Sequence, residues 1–396
     1  MDSASRSVLV TIACGGTGGH LFPGLAVAEA LRKRGADVQL LISAKAVDLT
    51  AAASVPNFEA VPLPAQPPSW RRLGPFLRAF GVSCRMCLGQ FRKRRPIGLL
   101  AMGAFASAPA VVAARMAGLP IFLHEANAVP GRGNRWLSPF ARQVFVYFPE
   151  AAGQLRRRRV CVTGMPVRPE FRCVEAGPCR RTLGLEPEAP VLLAMGGSQG
   201  ARPLNQLMEQ AIGTLASRAP ELQYVHITGR DDVERMRRVY RDRRRRAVVH
   251  SFLNEPWLAF GAATLAVTRA GASSLAEQAA MRLPAILIPY PHAAGNHQYY
   301  NAQAFARTGA ACVLPQADAT AETLANLVLH LLRDAPRRSA MQNALGAWHA
   351  KDAADQIAQR LLSLRTAQTD VSTQPDSSNL PVASEIASSH ANEPGY

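Results

Sequence analysis

The sequence lacks any run of the roughly 18 apolar residues that a membrane span needs. It has no second Cys pair at zinc spacing after Cys84 and Cys87, and its seven cysteines follow no disulfide framework, which suits a reducing compartment. Cys84 and Cys87 share one helical face and read as buried thiols. No Asp-x-Asp is present, so no protein-held metal for a diphosphate is expected. Aromatics make up only 6% of residues, and nothing resembles a base-reading module, which argues against nucleic acid as the partner. Acids are scarce, and the formal net charge is +17. Such a charge implies an anionic partner, whether nucleic acid, a membrane surface or a phosphorylated substrate, or reflects the large excess of Arg over Lys. Met1–Ser7 is short and polar, without a signal-peptide layout, and leads to the expectation of a cytoplasmic protein.

What is present begins with Gly15-Gly16-Thr17-Gly18-Gly19-His20-Leu21-Phe22-Pro23-Gly24. The apolar run Val8–Ala13 precedes it and a helical run, Leu25–Arg34, follows, so the order reads strand, glycine turn, helix. Unsatisfied N–H groups at a helix start, approached closely through glycines, bind anions. His20 carries a titratable imidazole beside that site. The spacing fits neither the dinucleotide fingerprint, which fails at Leu21, nor the phosphate loop of ATPases, which needs a following Lys-Ser or Lys-Thr. A tight turn that binds nothing is the alternative. A second strand–turn–helix, Val191–Met195 followed by Gly196-Gly197-Ser198-Gln199-Gly200, repeats the pattern.

Strands are expected at 38–42, 97–102, 121–124, 144–148 and 160–163, then at 224–228, 248–252, 265–268, 285–289 and 311–314. Helices fall between them, at 108–117, 133–138, 233–241, 273–281, 297–307, 320–333 and 350–364. Alternation of this kind predicts parallel sheets covered on both faces, in two doubly wound domains joined near Gly164-Met165-Pro166. Domain boundaries are set at 1–165 and 166–347, and the polar sequence of 366–396 is read as a disordered tail. Between Trp70 and Pro96 there are eight Arg or Lys and no acid, with apolar residues at helical spacing from Leu73 to Phe91. That stretch is either a core-facing helix with a basic flank or a patch for an anionic membrane surface. Gly74, Pro75, Gly81 and Gly89 argue against one unbroken helix.

Further candidates lie at strand ends. Small residues open a helix at Gly271-Ala272-Ser273-Ser274-Leu275-Ala276-Glu277, with Glu277 one turn in, where a carboxylate accepts from ribose hydroxyls. His297–Asn301 and His124-Glu125-Ala126-Asn127 bring amides that suit sugar hydroxyls. Arg168, at the interdomain link, is placed to neutralise a departing diphosphate.

Taken together, GGTGGHLFPGLAVA (15–28), HEANAVPGRGNRWL (124–137), GMPVR (164–168), GGSQGAR (196–202), RAGASSLAE (269–277) and HQYYNA (297–302) resemble, in order, the MurG family of glycosyltransferases. The resemblance implies a GT-B fold, two Rossmann-like domains facing across a cleft, with a C-terminal helix (about 348–365) packing back on the first. It implies inverting transfer of GlcNAc from UDP-GlcNAc to lipid I, giving lipid II, at the cytoplasmic face of the bacterial inner membrane. It places Thr17, Gly18 and Gly19 on the cleft, Asn127 and Arg168 at the donor, Ser198 at its phosphates and Leu253 at the uracil. Ala272, Ser273, Ser274, Leu275 and Ala276 then hold the nucleotide, Glu277 its ribose and Gln298 the GlcNAc hydroxyls. The candidate base is His20, with Glu125 second; His20 can instead orient the acceptor diphosphate. The chain departs from the family pattern at Ala126, at Met165 and in Gly103–Pro109. Another GT-B enzyme, such as a UDP-GlcNAc 2-epimerase or a glycolipid synthase, is the alternative.

Overall fold

The computed structural model describes residues 7–16, 18–45, 49, 58–66, 73–155, 159–197 and 200–372. Thr17, Ser198 and the stretch 373–396 therefore lie outside the described residues. The first domain contains β1 (Leu9–Ala13), α1 (Gly18–Lys33), β2 (Asp37–Ser43), β3 (Glu59–Leu63), α2 (Leu73–Lys93), β4 (Gly98–Ala101), α3 (Ala104–Met116), β5 (Ile121–Glu125), α4 (Arg132–Leu137), β6 (Gln143–Val146) and β7 (Val160–Val162). The second contains α5 (Ala176–Thr182), β8 (Val191–Met195), α6 (Arg202–Arg218), β9 (Gln223–Ile227), α7 (Val233–Asp242), β10 (Ala247–His250), α8 (Pro256–Ala262), β11 (Leu265–Thr268), α9 (Ala272–Met281), β12 (Ala285–Leu287), α10 (His297–Arg307), β13 (Cys312–Val313), α11 (Ala321–Arg333) and α12 (Ala335–Trp348). The last helix, α13 (Ala353–Ser372), returns to the first domain.

The sheets run β3-β2-β1-β4-β5-β6-β7 and β10-β9-β8-β11-β12-β13, with every pairing parallel. Each order reverses once, between β1 and β4 and between β8 and β11, and such a reversal opens a crevice at the carboxyl ends of the strands. Burial explains the sequence pattern: β1 and β5 are buried at every residue, as parallel strands covered on both faces must be. In the first domain, one face packs Leu21, Leu25 and Leu31 of α1 with Ile357, Leu361 and Leu364 of α13. The other face packs Cys87 and Phe91 of α2 with Val111 and Ala114 of α3.

Several expectations needed correction. α1 begins at Gly18, well before Leu25, with Pro23 inside it. α2 is one helix despite its glycines, because Gly74, Gly81 and Gly89 face open space while Ala79, Ser83, Cys87 and Phe91 form the buried stripe. The last helix runs to Ser372, past the expected start of a disordered tail.

The domains meet on an aromatic floor. Tyr147 and Phe148, just after β6, pack against Phe305 and Trp348, whose rings stack 4.5 Å apart. The chain crosses between domains twice, at 164–168 and at 349–352. The crossings touch: Gly164 adopts φ +79, and a Cβ there would lie 2.6 Å from the Cβ of Ala350.

Candidate active site

The two crevices face each other, and the first is built by glycine. Gly15 and Gly16 take φ of 131 and 89, which turns β1 sharply into α1. Gly24 lets that helix press on the sheet, since a Cβ there would lie 2.8 Å from the Cβ of Cys14. Pro23 has no N–H for the carbonyl four residues back, so Gly19 O is left open within the helix. Ser273 Oγ of the second domain donates to that oxygen at 2.8 Å.

The His20 ring lies against Gly103, and its Nδ1 is 2.9 Å from Met102 O. A carbonyl only accepts, so Nδ1 carries the proton and Nε2 the lone pair of the neutral ring. His124 is no competitor: it is buried, and burial pushes its pKa down to about 4.

Glu125, the second candidate base, is organised differently. Oε1 accepts from the Asn127 N–H (2.9 Å) and Nδ2 (3.2 Å), and Oε2 from the Gly131 N–H (3.0 Å) and Asn134 Nδ2 (2.8 Å). Four donors fill the four lone-pair sites of the carboxylate. The residue shapes the 125–134 loop instead of offering a base. Asn127 Oδ1 accepts from Asn301 Nδ2 (3.1 Å), while Asn301 Oδ1 accepts from the Ala128 N–H (2.9 Å). Asn301, expected among the amides for sugar hydroxyls, is instead fully buried and spends its side chain tying the loop of one domain to α10 of the other.

In the second domain, Gly196 and Gly200 permit a turn that a side chain would block: added Cβ atoms would lie 2.4 Å from Ala201 Cβ and 2.3 Å from Thr228 O. α9 opens after Gly271 with no side-chain cap, so its first N–H groups are available to an anion. Ala272, Leu275 and Ala276 have their side chains in the core, and only their backbone can serve a ligand. Ser274 accepts from Gln278 at 3.3 Å. Gln298 uses its carbonyl on the Ala270 and Tyr290 N–H groups (3.2 and 3.0 Å), which leaves its NH2 as the group to offer a sugar. Leu253 is half-buried against the core beside the exposed Phe252.

Between the crevices lies a small cavity lined by Phe22, Pro23, Pro166, Val167, Arg168, Ser273 and Glu277. Glu277 is 17% exposed; burial pushes its carboxyl up to about 7, against the pull of Arg168. The guanidinium is 3.9 Å from Glu277 Oε1, beyond hydrogen-bond range, and its Nε is buried without a partner among the described residues. Composition did not reveal Lys45, whose Nζ donates to Gly16 O at 2.8 Å and sits 5.5 Å from the ring centre of Phe105 in the first turn of α3.

Residues 10–146 match the glycosyltransferase family 28 N-terminal domain and residues 191–357 its C-terminal domain. The UDP-N-acetylglucosamine–N-acetylmuramyl-(pentapeptide) pyrophosphoryl-undecaprenol N-acetylglucosamine transferase of Moorella thermoacetica is 38% identical over 366 residues, 89% of this chain and 98% of that protein. The chain belongs to the MurG family. The crystal structure of Acinetobacter baumannii MurG superposes with a TM-score of 0.69 at 24% identity, covering 90% of this chain and 99% of that one. A UDP-N-acetylglucosamine 2-epimerase shares the fold at a TM-score of 0.66 and 14% identity, covering 94% of this chain and 100% of that one. Two departures from the MurG pattern, Ala126 and Met165, are buried (4% and 2% exposed) in the core beneath the cleft, where they pack.

Proposed function

We propose that this chain moves GlcNAc from UDP-GlcNAc to lipid I, undecaprenyl-diphospho-MurNAc-pentapeptide, giving lipid II and UDP with inversion at the sugar carbon. Its place is then the lipid-linked step of cell-wall synthesis, on which cell shape and division depend. The observation that carries the reading is the junction itself. Ser273 Oγ, at the uncapped start of α9, donates to Gly19 O beside His20, and Arg168 and the largely buried Glu277 lie 3.9 Å apart in the cavity below. The acceptor hydroxyl attacks the anomeric carbon, the bond from that carbon to the UDP oxygen breaks, and the hydroxyl proton passes to Nε2 of His20. Charge growing on the UDP is met by Arg168 and the N–H groups that open α9. Glu277 accepts from the ribose hydroxyls, Leu253 packs on the uracil, and the Gln298 NH2 reaches the GlcNAc hydroxyls. Asn127 and Ser198 complete the donor site by resemblance. Gly18, Gly19, Thr17 and Lys45 hold the acceptor diphosphate.

The acceptor's polyprenyl tail requires a membrane, and α2 offers a face for it. Leu73, Leu77 and Val82 are exposed among Arg78 and Arg85. Met116 and Trp136 are 69% and 79% exposed on α3 and α4, each of which packs on its neighbour in the series α2–α3–α4. These residues dip into the interface while arginines meet anionic headgroups, holding the enzyme peripherally at the cytoplasmic face. No described helix is long and apolar enough to cross a membrane.

The test is incubation with labelled UDP-GlcNAc and a short-chain lipid I analogue. Labelled disaccharide-lipid and UDP in equal amounts are expected. Conversion of UDP-GlcNAc to its 2-epimer without acceptor, and no disaccharide, overturns the reading in favour of an epimerase.

A further inference from the structure

Arg168 is surrounded by rings. Its guanidinium carbon lies 4.3 Å from the ring centre of Phe22, 5.2 Å from Phe171 and 5.5 Å from Trp257. Phe171, just after the link, and Trp257 of α8 pack edge to face, 6.2 Å apart, and so travel with the second domain. Phe22 belongs to α1 of the first domain, and its ring is the nearest of the three.

What brings Phe22 there is the residue beside it. Pro23 frees the Gly19 carbonyl, and Ser273 Oγ of α9 takes it, docking the first two turns of α1 on the donor side of the cleft. The same docking sets the Phe22 ring on the guanidinium. With no direct hydrogen bond to Glu277, the arginine is oriented by π faces, an attraction that strengthens as water is excluded. Without Phe22 the guanidinium is free to tighten its 3.9 Å ion pair with Glu277 into a direct hydrogen bond, which withdraws it from a phosphate.

We infer that Phe22 is a positioning residue: closure of the first domain lays its ring on Arg168 and aims that cation at the leaving diphosphate. Full compensation of the leaving group then exists only when the acceptor domain is in place, which protects UDP-GlcNAc from water while the cleft is open. The inference rests on the transferase reading above.

The experiment compares the full-length chain with Phe22→Leu, Phe22→Tyr and a variant carrying trifluorophenylalanine at position 22, using UDP-GlcNAc and the short-chain lipid I analogue. Leu keeps apolar bulk without a π face, Tyr keeps the face, and fluorination weakens it at nearly constant shape. Expected is a fall in kcat of about 5- to 30-fold for Leu, a smaller fall for the fluorinated ring and near-parent turnover for Tyr. Donor KM, and UDP binding by calorimetry without acceptor, stay within about twofold. Parent-like kcat for Leu, or equal losses in all three variants, overturns the role of Phe22. A parent chain that transfers nothing defeats the transferase reading and this inference together, whereas a Leu variant matching an active parent defeats the inference alone.

Discussion

Replacing Glu277 by Gln is expected to move two measurements in opposite directions. In the ligand-free protein, burial lifts this acid from 4.5 to about 7. An acid with a folded value above its unfolded value binds more protons folded than unfolded between the two. Its presence therefore lowers stability as pH rises from about 4.5 through 7. The interval corresponds to at most about 3 kcal/mol above pH 7. Gln imitates the protonated acid and removes that cost. The variant should melt several degrees higher at pH 8, with the gain shrinking toward zero near pH 4. UDP binding should weaken, because the carboxylate that accepts from the ribose is gone. Hydrogen bonds to a charged group contribute about 1.5–3 kcal/mol, so a loss of about ten- to a hundredfold is expected by calorimetry. The unsubstituted protein should itself bind UDP more weakly as pH falls from 8 to 6. UDP affinity that is unchanged in the Gln variant, and flat over that pH range in the parent, would refute the assignment of Glu277 to the ribose.

Three further outcomes are expected. His20→Ala should lower kcat about 10²- to 10⁴-fold while UDP affinity, read by calorimetry, holds; equal turnover removes His20 from the base role. Lys45→Ala should raise KM for the lipid acceptor several-fold and flatten its dependence on salt, with donor KM steady, if that cation serves the acceptor diphosphate as proposed. Leu77→Glu should reduce cosedimentation with anionic vesicles yet leave turnover of a water-soluble acceptor analogue intact, since the side chain is 58% exposed and far from the core stripe of α2.

The strands of both sheets were legible because parallel strands covered on two sides must be continuously apolar. β3 was not, since it is an edge strand with most residues exposed and Pro62 breaks its short apolar stretch. α8 and α12 begin with Pro at the first or second position, and α12 buries only Met341 and Leu345, too little for a periodic signal. The continuity of α2 escaped because helix propensity charges for each glycine, whereas the four-residue rhythm of its buried stripe decides the outcome. At the site, the glycine turns and the Glu277 helix could be read from residue order. The function of Glu125 could not, because its four donors are assembled only when the loop folds over it. Lys45 was hidden for a similar reason: it meets Gly16 across 29 residues of chain.

The contact between Gly164 and Ala350 bears on how the two domains can move. Two strands of chain that cross side by side, with no room for a methyl group between them, behave as a pin joint. So close a crossing favours a swing of the lobes about that point over a slide of one past the other. Opening is therefore an angular motion whose travel grows with distance from the pin. A residue larger than glycine at 164 would wedge the joint at its axis, where small displacements are multiplied most at the mouth of the cleft.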